Sequence, residues 1–132
     1  MKLEFLDDIS DGGRFSHVVS ERLIRIYDFD PSEARDLKGA IENSLLKAKG
    51  ELNFASLDFI EPVNCNVILR LSDRDEGLRT ADNSRFDCNL TVEAYGDMIA
   101  LIEPFCNGAE GYQWLYEVDC PIDFLLSPGG TW

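Results

Sequence analysis

DPSEARDLKGAIENSLLKAKG, residues 30–50, is punctuated as a helix at both ends. Asp30 can accept from the first free backbone amides, Pro31 has the φ that a first turn requires, and Glu33 stands where it completes a capping box. Ala34, Leu37, Ile41, Leu45 and Ala48 recur at helical spacing and form one apolar stripe. Asp30 and Glu33 at the start and Lys47 and Lys49 at the end suit the helix dipole, and Gly50 supplies a stop. The pattern predicts one long amphipathic helix over about 31–49. A helix with a single apolar face must cover something, and the strand-like segments around it make a sheet the expected surface.

Before it, residues 2–6 read as a short strand and residues 7–14, with Gly12 and Gly13, as a turn. HVVSERLIRIYDF, residues 17–29, is rich in β-branched and aromatic residues and reads as one long strand. After it, residues 52–60 read as a strand stopped by Pro62. NCNVILRLS, residues 64–72, places Cys65, Val67, Leu69 and Leu71 on one face. Residues 85–93 alternate Phe86, Cys88, Leu90 and Val92 against Asp87, Asn89, Thr91 and Glu93. These are expected to be half-buried strands of an antiparallel sheet, joined by a polar connection at 73–84. Residues 97–105 fit a short helix capped by Asp97, which Pro104 would disturb, or else a returning strand; the helix is preferred. Residues 112–118 and 122–126 read as further strands, and Pro128, Gly129 and Gly130 as a turn. The expected fold is α+β and a single domain over 1–132. An antiparallel sheet of about five or six strands carries the long helix on one face, with a second short helix near 97–105.

The chain has 132 residues, 45% hydrophobic and 28% charged, which is ordinary for a globular protein. The opening residues lack the basic start and apolar run of a secretory signal, and no apolar run approaches the ~20 residues of a membrane helix, so a cytoplasmic protein is expected. Cys65, Cys88, Cys106 and Cys120 are widely spaced and form no CxxC pair. Free thiols are expected, rather than disulfides or zinc ligands.

The net charge is −13, and it is unevenly placed. No Lys or Arg follows Arg85. Residues 86–132 hold eight acids, Asp87, Glu93, Asp97, Glu103, Glu110, Glu117, Asp119 and Asp123, and no base. Binding to nucleic acid or to anionic membranes is disfavoured, because both need Lys and Arg to neutralise phosphate. A basic protein partner is left open, as is a simple role in solubility.

Catalysis finds little support. The single histidine, His17, has no GxSxG elbow beside it, and Cys106 lies among acids that disfavour a thiolate. Carboxylate pairs are inevitable among 25 acids and mark no site. The 73–84 connection offers Asp73, Asp75, Glu76, Asp82 and Asn83, but it departs from a calcium loop and contains Arg74 and Arg79. Gly12-Gly13 and Gly129-Gly130 are not followed by the Lys-Ser/Thr of a phosphate loop and read as turns. No catalytic residue, metal site or cofactor is assigned, and the protein is read as a non-enzyme.

GYQWLYEVD, residues 111–119, is the remaining feature. On a strand, Tyr112, Trp114 and Tyr116 would share one face. Turned inward they are core. Turned outward they form an aromatic patch rimmed by Glu110, Glu117 and Asp119, with Trp132 as a second anchor, suited to gripping Arg or Lys. The preferred reading is an acidic protein–protein interaction module with those seven residues as its contact set. Its most concrete form is a small inhibitor, immunity-protein-like or antitoxin-like, that occludes a basic partner. The rival is an enzyme or small-molecule binder with a pocket between helix and sheet, where Asn64, Asn66, residues 73–83 and His17 are the first places to look. A third reading is a subunit of a larger assembly.

Overall fold

Local chemistry sets the first helix where the spacing places it. In the computed structural model, which describes residues 1–7 and 22–132, the Asp30 carboxylate accepts from the Glu33 amide at 2.8 Å. The Glu33 carboxylate returns to the Asp30 amide, closing the capping box. Helix α1 (Pro31–Ile41) buries Ala34, Leu37 and Ile41. The expected helix over 31–49 is not α-helical throughout, because Glu42–Lys47 widens into π-helix with Leu45 still buried. Wider turns shift the phase of the stripe, and Ala48 ends exposed. The left-handed stop is Lys49, with φ 53°, and the next residue, Gly50, donates to the Ser44 carbonyl at 2.8 Å.

Nine strands are present among the described residues: β1 (Lys2–Asp7), β2 (Arg22–Tyr27), β3 (Leu52–Asn53), β4 (Glu61–Pro62), β5 (Asn66–Leu71), β6 (Gly77–Thr80), β7 (Arg85–Leu90), β8 (Gln113–Trp114) and β9 (Asp123–Ser127). A second helix, α2 (Val92–Cys106), lies between β7 and β8. The fold is α+β, but the single antiparallel sheet is replaced by two mixed sheets. One has the order β4-β1-β2-β9-β8, with β1/β2 and β8/β9 antiparallel and β1/β4 and β2/β9 parallel. The other has the order β3-β5-β7-β6, with β3/β5 and β6/β7 antiparallel and β5/β7 parallel.

The two strands read from alternation do pair, and Cys65, Val67, Leu69, Phe86, Cys88 and Leu90 are buried. Their orientation is opposite to the expectation. The cause lies in the polar connection, where β6 turns the chain back and a hairpin then delivers β7 beside β5. That hairpin is held by polar groups. Thr80 Oγ1 donates to the Arg85 carbonyl at 2.7 Å, and the Asp82 carboxylate accepts from the Ser84 and Arg85 amides at 3.0 and 3.1 Å. Those amides, Ser84 first, hold the Asp82 pKa below its ordinary value.

The second helix is longer and earlier than the one expected near 97–105. Thr91 caps it, accepting from the Ala94 amide at 3.2 Å, so Asp97 lies inside the helix and Pro104 in its last turn. The helix contains no base, and α1 supplies what it lacks. Lys38 pairs with Glu103 at 2.7 Å, which raises the Lys38 pKa, and Arg35 donates to the Cys106 carbonyl at 2.7 Å. Cations here suit the negative end of the α2 dipole. The expected strand over 52–60 shrinks to β3, followed by a 3₁₀ turn at Phe54–Ser56.

Both helices and both sheets feed one contiguous core. Phe5 of β1 and Phe86 of β7 meet at 4.7 Å between ring centroids, joining the sheets. Tyr95 of α2 places its hydroxyl 2.7 Å from the carbonyls of Arg70 and Cys88. A smaller cluster forms on the other face of the first sheet, where Leu6, Trp114 and Trp132 pack against the fully buried Leu23 and Leu125. On that face Arg25 is held by Glu4 at 2.9 Å and by the Gly130 carbonyl at 2.7 Å, fixing the Gly129-Gly130 turn. The readings for residues 8–21, including Gly12, Gly13 and His17, lie outside the described residues. No helix among the described residues is long and apolar enough to cross a membrane.

Candidate binding cleft

Residues 112–118 do not form the expected continuous strand, because only Gln113–Trp114 is paired as β8. The Leu115 amide still donates to Phe124 at 2.8 Å, and the chain then leaves the sheet. The three aromatics therefore do not share a face. Tyr112 is 49% exposed and meets Trp114 edge-on at 6.0 Å between centroids. Trp114 is half-buried against Leu23 and Leu125. Tyr116 is core: its hydroxyl donates to the Ile122 carbonyl and accepts from the Leu78 amide at 3.2 Å. Burial pushes the Tyr116 pKa up. Trp132 packs against the same two leucines as Trp114, while Glu110, Glu117 and Asp119 are exposed.

Where the chain leaves β8 it opens a cleft of about 420 Å³ against α2. Ala94, Leu101, Trp114, Leu115 and Val118 give it apolar walls, and Asp75, Asp97 and Glu117 give it three carboxylates. Among the described residues no Lys, Arg or His lines it. Asp97 and Leu101 share one face of α2 because they are four residues apart. One Asp75 oxygen accepts the Thr91 amide at 2.9 Å, which ties the loop to the start of α2. The Asp97 and Glu117 carboxylates make no hydrogen bond or ion pair among the described residues.

The wider surface repeats this imbalance. Of the eight acids in 86–132, Asp87 pairs with Arg70 at 3.1 Å and Arg85 at 3.6 Å, and Glu103 pairs with Lys38. Glu93, Asp97, Glu110, Glu117, Asp119 and Asp123 make no ion pair among the described residues. A second cleft, about 330 Å³, lies between β6 and residues 119–122 and is mixed in charge, with Arg22, Arg79, Glu76 and Asp119.

Of the places named for a small-molecule site, Asp75, Glu76 and residues 78–80 line the two clefts, His17 lies outside the described residues, and Asn64 and Asn66 are engaged in structure. Asn64 bonds both the amide and the carbonyl of Phe5 at 2.8 Å, standing in for a strand residue. Asn66 accepts from the Ala55 amide at 3.0 Å and donates to Asn53 at 2.9 Å. All four cysteines are free. Burial pushes the Cys65 thiol up to about 12 and raises Cys88 and Cys106 as well. Among the described residues no group of three or more His, Cys, Asp or Glu is placed to hold a metal ion.

The sequence reading reached Trp114, Tyr116 and Glu117 as contact residues and Asp75 within the polar connection, and missed Ala94, Asp97, Leu101 and Val118 as cleft residues. The four-residue step from Asp97 to Leu101 was the available signal, once 92–106 was read as helix. No family model matches the chain, and no curated protein or solved structure matches it.

Proposed function

We propose that the protein is an interaction module that binds a basic protein partner, in its most concrete form a small inhibitor that occludes a cationic surface. The observation that carries this reading is the set of six carboxylates in residues 86–132 without an ion pair among the described residues, in a stretch with no base. Unpaired solvated acids of one sign build a negative potential, which speeds encounter with a positive surface and selects against acidic ones. Tyr112 and Trp114 stand beside these acids and supply the aromatic area that interface anchors use. Four free thiols fit action in the cytoplasm, where thiols stay reduced.

The test is capture of partners on the immobilised protein at two ionic strengths. A basic protein held at about 50 mM salt and released near ~500 mM is expected, since screening shortens steeply across that range. Retention of no basic protein at either salt overturns the reading.

A further inference from the structure

Resting on that reading, we propose that the cleft between α2 and residues 113–118 receives an arginine side chain of the basic partner. Its composition matches that group part by part. The aliphatic stem of an arginine needs apolar walls, which Leu101, Leu115 and Val118 provide. The guanidinium needs several acceptors at once, because it carries five donors in a rigid plane. Asp97 and Glu117 present carboxylates with no competing ion pair, and Asp75 adds a third. Lysine fits less well: its ammonium is a compact, strongly hydrated point charge that cannot span separated carboxylates. A cleft of about 420 Å³ is large enough for one arginine side chain.

The probe is the blocked pentapeptide Gly-Gly-Arg-Gly-Gly, with lysine and citrulline versions, titrated into ¹⁵N-labelled protein at about 20 mM salt, where screening is weak. Citrulline keeps the shape of arginine and removes its charge. Saturable shifts confined to residues 75, 94–101 and 113–118 are expected. Citrulline should bind about ten-fold more weakly and lysine about three-fold, the margins set by charge and by the planar fork. Asp97→Asn and Glu117→Gln should each weaken arginine binding about three-fold or more, whereas Glu110→Gln, outside the cleft, should not. Equal binding of citrulline, absence of binding, or cleft variants that bind as the parent does would each overturn the inference. Its failure is separable from that of the underlying reading. If a basic partner is captured equally by the parent and by both cleft variants, only the arginine assignment falls; if none is captured, the interaction reading falls too.

Discussion

At Gly77 two demands meet on one residue. Its φ is 80°, a region that disfavours side chains, and an added Cβ would lie 2.6 Å from Cys120 Sγ. Gly77→Ala is expected to cost roughly 2 kcal/mol, read as a lowered urea midpoint. Adding Cys120→Ala should recover the steric part and leave the backbone part. Nothing local in "DEGLRT" announces either demand, because Cys120 arrives from far along the chain. Asp97 teaches the same at residue scale. Its sequence context suits a helix cap, yet its place on the cleft wall depends on where residues 113–118 run.

Among the elements, α1 was the most legible because its start is decided within four residues. Asp30→Ala removes one side of the capping box and should cost about 1 kcal/mol, measured by thermal unfolding followed by circular dichroism. The start of α2 was misread for an opposite reason. Phe86, Cys88 and Leu90 alternate, and Val92 continues the rhythm although it already belongs to the helix. Position 94 is Ala, so no capping box marks Thr91. The spacing of Tyr95, Met98, Ile102 and Phe105 held the answer, and all four are buried. The parallel pairing of β5 with β7 was not legible in either strand. It follows from β6, four residues in a polar connection whose Leu78 is fully engaged by Cys88 on one side and by the Tyr116 hydroxyl on the other.

For the whole molecule, thiol accessibility reports folding. Cys65, Cys88 and Cys106 are 6%, 0% and 4% exposed, while Cys120 is partly open at the second cleft. Brief maleimide treatment should label Cys120 alone in the native protein and all four cysteines in denaturant, as read by intact mass. The charge asymmetry of the candidate site was legible as composition. The cleft was not, because Asp75, Asp97 and Glu117 come from three separate segments and meet only in the folded chain. The topology of the first sheet carries its own consequence for biosynthesis. Its central pairing joins Leu23 to Asp123, so β2 emerges from the ribosome long before β9 exists to cover its edge. During that interval β2, whose Leu23, Ile24 and Ile26 are all fully buried in the finished protein, is an apolar template open to any passing strand. Until β9 is available, the uncovered edge of β2 is thus a place where the nascent chain can mispair, and a chaperone that shields residues 22–27 would act in that interval.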